Sequence, residues 1–254
     1  MKVTDGLELA IDEHVATLTL NRPEKRNAMT AAMWRAIPGV VADLAANRAV
    51  RVLVLTGAGG TFSAGADISE IAALSDNGDD TGLTVAAERA LIEFPKPAIA
   101  SIEGYCVGGG CQLALACDLR FASSAARFGI TPAKLGIVYP ISSTRRLVEI
   151  AGPAAAKYLI FSAELVDAGH ALRTGLVDEV LPPERLRDRV YGFAATLALR
   201  SRLTLTAAKE IIDGRAGEDG FRAWQREARE SGELAEGLSA FGEGRSPRFF
   251  WDAK

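Results

Sequence analysis

Residues 97–122 read PAIASIEGYCVGGGCQLALACDLRFA. From Pro97 an apolar strand is expected through Ile102, a glycine-rich loop at Gly108-Gly109-Gly110, a helix through Ala116 and a further strand from Asp118 to Ala122. An earlier segment has the same order. Val52 to Thr56 is a nearly continuous apolar run, the pattern of a strand buried on both faces, and it leads directly into the glycine-rich loop Gly57 to Gly65. Two separate loops thus present small residues at a helix start, where unpaired N–H groups point outward and can grip an oxyanion.

Outward from these loops, Leu7 to Leu20 reads as a hairpin with Asp12-Glu13 at its turn, ended by Asn21-Arg22-Pro23. Thr30 is a fitting N-cap for a helix to about Ala46, in which Pro38 is expected to kink or interrupt the middle. The polar stretch Ser75-Asp76-Asn77-Gly78-Asp79-Asp80 has nothing large and apolar to anchor it and reads as a mobile lid. After Pro140 the pattern turns mainly helical, with apolar residues at helical spacing over Arg185–Arg200, Leu203–Asp213 and Glu218–Ala240. Strand-helix alternation followed by helices implies an α/β fold with a helical C-terminal layer.

The bulk numbers narrow the function classes. A chain of 254 residues, 48% hydrophobic and 24% charged, buries a sizeable core. A net charge of -3 argues against general binding to nucleic acid or a membrane surface, which needs clustered Lys and Arg. The amino-terminal residues lack the tripartite signal-peptide pattern, no apolar run reaches membrane-spanning length, and a cytoplasmic location is the expectation. Cys106, Cys111 and Cys117 are spaced too widely for a zinc knuckle and read as reduced core thiols. His14 and His170 lie far in sequence from the glycine loops, and no metal-ligand cluster is legible.

Three segments together resemble the enoyl-CoA hydratase/isomerase, or crotonase, family: residues 21–28 (NRPEKRNA), 62–68 (FSAGADI) and 104–114 (GYCVGGGCQLA). Further similarity runs through Cys117-Asp118, Phe128-Gly129, Leu135-Gly136, Gly175-Leu176-Val177 and residues 236–241, so it covers almost the whole chain. The resemblance implies a ββα superhelical core over residues 1–195 and a helical trimerisation region over 196–254, in a homotrimer or dimer of trimers. It also implies an acyl-CoA substrate and no cofactor beyond the coenzyme A moiety. The N–H groups of Ala66 and Gly109 would hold the thioester carbonyl and stabilise the enolate formed there. Lys25 and Arg26 would lie near the nucleotide, with Ala64, Asp67, Ile68, Pro132 and Leu135 around the CoA and acyl chain, while Phe241, Arg245 and Arg248 would cover the CoA of a neighbouring subunit.

The chain also departs from that family. Hydratases use two glutamates, and ungapped alignment of the segments puts Gln112 and Pro132 at those positions. Neither titrates, so ordinary hydration is in doubt. The nearby acids Glu103, Asp118 and Glu149 read as caps, ion-pair partners or surface charges. Residues 131–139 (TPAKLGIVY) look like the corresponding segment of methylmalonyl-CoA decarboxylases, in which a tyrosine at the place of Tyr139 faces the substrate, although those proteins can carry histidine where this chain has Ala66. Decarboxylation needs no base, because loss of carbon dioxide generates the enolate directly. The readings left open are decarboxylation, with Tyr139 as carboxylate or proton partner and Gln112 orienting the acyl group; a non-standard hydration or isomerisation; thioester hydrolysis; and a non-catalytic acyl-CoA-binding subunit. Acyl-chain selectivity is expected to be set by loops such as residues 76–84.

Overall fold

The computed structural model describes residues 1–70 and 82–251; the expected lid at Ser75–Asp80, and the loop 76–84 up to residue 81, lie outside the described residues. The larger sheet has the order β1 (Lys2–Thr4), β2 (Leu7–Asp12), β3 (Val15–Leu20), β4 (Val52–Gly57), β5 (Ala98–Ile102), β7 (Leu119–Ser123) and β10 (Glu179–Leu181). The smaller sheet joins β6 (Tyr105–Val107), β8 (Arg127–Gly129) and β9 (Val166–Asp167). β2 and β3 form the expected hairpin, but its turn lies at Glu13-His14, with Glu13 in the left-handed region at φ 48°. From β3 to β10 every pairing in the larger sheet is parallel.

Among the described residues the helices are α1 (Ala31–Ala46), α2 (Leu83–Glu93), α3 (Gly109–Ala116), α4 (Ile141–Ser162, kinked at Gly152, φ 78°), α5 (Ala168–Arg173), α6 (Pro183–Ala198), α7 (Arg202–Ile212), α8 (Glu218–Glu230) and α9 (Glu233–Glu243). Alternation along β4 explains its unbroken apolar run. Leu53 and Leu55 join the main core with Leu18, Leu20, Ala98 and Ala100. Val52 and Val54 face the opposite side, where they meet Ile99, Phe121 and the Leu186, Val190 and Ala194 stripe of α6. α3 is buried from Gly110 to Ala116, as expected for a helix apolar all round.

A repeated unit emerges that no sequence period announces. β5 continues into β6 and then α3, and β7 continues into β8 and then α4. The chain after β3 makes a bridge at Met29 before α1, and the chain after β4 makes bridges at Ser63 and Ala66. Each turn contributes one long strand, one short extended segment and usually a helix, so the short segments accumulate along one edge of the core. That edge carries the glycine loops.

Two further sequence expectations are corrected. α1 runs unbroken through Pro38, capped by the Thr30 hydroxyl, which accepts from the Met33 N–H at 3.2 Å. A mid-helix proline costs about 3 kcal/mol. Burial of Met33, Trp34, Ile37, Val40, Val41 and Leu44 on one face contributes roughly 1.5–3 kcal/mol for each large side chain and outweighs it. The segment 218–240, expected as one helix, is two, because Gly232 at φ 79° turns the chain between α8 and α9.

The C-terminal residues fold back onto these helices. Trp251 donates from its backbone to Glu233 and from its indole to Glu227, both at 2.9 Å. The Arg245 guanidinium grips Glu236, whose carboxyl is held down to about 2 by that contact and by the Arg248 N–H. A carboxyl depressed on folding stabilises above its ordinary 4.5, and the contribution is lost as pH falls toward 2. Trp251 fluorescence is therefore expected to report release of the tail in that window, and Arg245→Gln to flatten the pH dependence there.

Candidate active site

The three sequence segments that carry the resemblance lie side by side. Ala64 donates its N–H to Arg26 O at 2.9 Å, and Ser63 exchanges backbone bonds with Tyr105 and Val107 at 2.8 and 2.9 Å. The Ser63 hydroxyl donates to Asn27 O at 2.8 Å and accepts from the Gly65 N–H at 3.1 Å. Asn27 is the buried hub of the assembly. Its side chain accepts from the Arg22 N–H at 2.8 Å and donates to Ala58 O and Thr61 O at 2.9 and 2.5 Å.

The geometry leaves two donors free beside each other. Met29 N–H donates to Gly65 O at 2.7 Å and Asp67 N–H to Met29 O at 2.9 Å. In an extended chain successive N–H groups alternate sides, so the Ala66 N–H points away from Met29. Gly109 is the first residue of α3 and its N–H has no intrahelical acceptor. A Cβ placed on Gly109 would lie 3.4 Å from Ala66 N, and one on Gly65 would lie 3.2 Å from Gly109 N. The two peptide groups are thus in near contact, and both residues remain partly exposed. Size is restricted from behind as well: a Cβ on Gly109 would sit 2.7 Å from the buried Trp34 ring.

Of the residues expected near coenzyme A, Ala64, Asp67 and Ile68 flank Ala66 in the chain, and Arg26 is joined to Ala64 by a backbone bond. Lys25 and Arg26 are exposed on the turn before Asn27, and the Arg26 guanidinium sits 5.1 Å from the centre of the Tyr105 ring. Asp67 is held by Arg22 at 3.0 Å and by the Ser69 hydroxyl at 2.7 Å, which together keep its carboxyl below the usual range. Its side chain is therefore structural. Ile68 and Leu135 are exposed, whereas Pro132 is buried and opens a short turn. Pro132, Ile137, Val138 and Tyr139 line, with Ala156 and Phe161 of α4, an apolar cavity of about 470 Å³.

Tyr139 points its hydroxyl at Gly108 O, 3.5 Å away, on the same peptide group that carries the Gly109 N–H. Burial raises that hydroxyl well above its ordinary value, so it stays protonated. Gln112 lies one turn into α3 and donates its amide to Glu88 Oε2 at 3.2 Å. Glu88, in α2, also accepts at Oε2 from the hydroxyls of Ser142 at 3.0 Å and Ser143 at 2.8 Å. Its Oε1 is buried with no hydrogen-bond partner, and desolvation raises the carboxyl above its ordinary range against those three donors and Arg146.

Glu88 is the residue that sequence reasoning missed. A signal was present: Val85, Glu88 and Leu91 recur at helical spacing, which sets a carboxyl on the buried stripe of α2. The acids that were considered are placed elsewhere. Asp118 accepts from Ala98 N–H and pairs with Lys209, and Glu149 is largely exposed, 3.8 Å from Arg146. The cysteines are free and buried, with the Cys117 thiol pushed up to about 12 by burial. His14 bonds to Ala49 O and His170 stacks on Tyr158, neither in contact with the glycine loops.

Comparison with known proteins agrees with this arrangement. A family model described as enoyl-CoA hydratase/isomerase matches residues 10–251. The chain is 34% identical over 254 residues to the crotonyl-CoA hydratase of Syntrophomonas wolfei, covering 96% of this chain and 98% of the relative. It is 35% identical over 246 residues to the 2,3-dehydroadipyl-CoA hydratase of Escherichia coli, covering 93% and 95%. A crystal structure of an enoyl-CoA hydratase/isomerase family member superposes with a TM-score of 0.92 at 35% identity, covering 98% and 99% of the two chains. The parallel sheet with its edge of short bridged segments, the juxtaposed glycine loops and these full-length matches place the chain in the enoyl-CoA hydratase/isomerase family, within the crotonase superfamily.

Proposed function

We propose that this protein is an enzyme that binds an acyl-CoA thioester and stabilises its enolate between the N–H groups of Ala66 and Gly109. The observation that carries the reading is the near contact of these two peptide groups, each with its N–H left unused by the surrounding backbone. Donors already aimed at the oxygen need no reorganisation as charge develops there. The hydratases among the relatives act on CoA thioesters, in agreement with this substrate class. Lys25, Arg26, Ala64, Asp67, Ile68, Pro132 and Leu135 form the CoA and acyl surroundings, Asp67 through its backbone. Residues 196–254 serve assembly into a homotrimer or a pair of trimers, in the cytoplasm, with no metal and no cofactor beyond the CoA of the substrate.

With Gln112 and Pro132 at the two hydratase positions, the reaction is decarboxylation or a hydration or isomerisation run by another acid. The place of Tyr139 favours decarboxylation as one outlet: a hydroxyl kept protonated beside the Gly108–Gly109 peptide is placed to protonate an enolate held there. The test is mass spectrometry after incubation in heavy water with enoyl-, 3-hydroxyacyl- and methylmalonyl-type CoA thioesters. Carbon dioxide loss with one deuterium at the α-carbon supports that outlet, and Tyr139→Phe should then slow turnover by roughly 10²-fold or more. Full turnover in that variant removes Tyr139 from the chemistry. Binding without turnover or α-proton exchange would support a non-catalytic subunit.

A further inference from the structure

Glu88 is the one acidic side chain among the described residues that is both buried against the glycine-loop helix and left with an unpartnered oxygen. Its environment is built from three elements. Gln112 comes from α3, one turn beyond Gly109; Ser142 and Ser143 open α4, just after Tyr139; and α2 supplies the carboxyl itself. All three donors converge on Oε2. Gln112 follows Gly109 by three residues, so the amide that meets Glu88 rises from the same face of α3 as the peptide group that would bind the thioester oxygen. An isolated buried carboxylate oxygen loses about 1–3 kcal/mol of desolvation when nothing meets it. Such an oxygen is the expected seat of a proton, or of contact with a substrate.

We propose that Glu88 is the proton-transfer group of this site, acting through Oε1, and that it suits the protein to isomerise 3-enoyl-CoA thioesters to 2-enoyl-CoA thioesters. This rests on the enolate reading above. The carboxylate takes a proton from C2; the C–H electron pair enters a dienolate whose oxygen is held by the Ala66 and Gly109 N–H groups. The carboxylic acid then returns the proton to C4, the C3=C4 bond becomes C2=C3, and neither water nor any oxidant enters or leaves. One carboxyl is enough for this, whereas adding water across a double bond calls on an acid and a base together. An ionised Glu88 would also repel the carboxylate of a malonyl-type thioester, which sets this outlet against decarboxylation.

The electrostatics fit a group that must hold and release a proton. Desolvation raises the carboxyl, while Ser143, Gln112, Ser142 and Arg146 of α4 pull it back down. Tyr139, facing it from the segment before α4, stays neutral, and Arg89 and Glu93 on its own helix are exposed. Removing the Ser143 hydroxyl takes away one donor to the charged form, so the carboxyl should rise further.

The experiment follows trans-3-hexenoyl-CoA with the wild-type protein, Glu88→Gln and Ser143→Ala, alongside calorimetric binding of hexanoyl-CoA and its α-deuterium exchange in heavy water. Glutamine keeps an acceptor for the three donors, so Glu88→Gln should fold and bind hexanoyl-CoA as the wild type does while isomerising at least about 100-fold more slowly. Ser143→Ala should move the acidic limb of the kcat/KM profile to higher pH. Isomerisation by Glu88→Gln within about threefold of wild type, or an unmoved acidic limb in Ser143→Ala, overturns the assignment. A wild type that binds and exchanges hexanoyl-CoA yet never isomerises the 3-enoyl thioester overturns it alone, whereas no binding and no exchange brings down the enolate reading with it.

Discussion

Gly65→Ala is expected to lose at least about 100-fold in turnover on any CoA thioester that the protein accepts, because it separates the two N–H groups that define the site. Gly65 sits at φ 100°, a conformation that L side chains rarely adopt. A methyl there would also lie 2.8 Å from Val107 O and 3.2 Å from Gly109 N, so the 63–67 segment must move off the glycine loop. Oxyanion donors act within about 2.7–3.1 Å of the charged oxygen, and losing one costs about 2.7–4 kcal/mol of transition-state stabilisation. A shift of a few tenths of an ångström is already a large fraction of that tolerance. Steady-state kinetics on the accepted thioester, with a thermal melt to confirm folding, gives the comparison; undiminished kcat in a folded variant would mean that Ala66 and Gly109 do not bind the oxygen.

Asn27→Ala should be the most destabilising single change near the site, on the order of 4 kcal/mol in urea titration. The side chain satisfies one N–H and two carbonyls from residues 22, 58 and 61, and none of these is replaced by solvent around a residue with no exposed surface. Each orphaned group costs about 1–3 kcal/mol. The backbone adds to this, since Asn27 is at φ 55°, which asparagine tolerates better than alanine by roughly 1 kcal/mol. Against a usual total of about 5–15 kcal/mol, such a loss leaves the variant marginal. A loss below about 1 kcal/mol would show that Asn27 is not the hub joining the turn at 22–27 to the loop at 58–65.

Both variants act where the chain meets itself, and this separates the legible from the hidden. Thr30 could be named as a cap because a cap is a local bond, formed within three residues. The run Val52–Thr56 could be named as a central strand because burial on both faces removes polar alternation from the sequence. Pro38 misled for the complementary reason: its cost is local, but the packing that outweighs it comes from the sheet beneath. Gly232 likewise ends a helix that apolar spacing alone would have continued. The short strands β6, β8 and β9 are too brief to show any period, and only pairing with one another reveals them.

By itself the sequence determined the family, the longer strands β2 to β5 and β7 in order, and the two small-residue loops whose backbone would meet the substrate oxygen, because glycine and alanine mark sites where backbone must approach closely. It also showed what was missing at positions 112 and 132. Only the tertiary structure decided what meets Gln112. Glu88 looks from its own helix like one more charged residue, and its partners lie 24, 54 and 55 residues away along the chain. Whether a carboxyl is solvated or sealed depends on what the fold brings against it, and that balance of desolvation and donors is written in no local pattern.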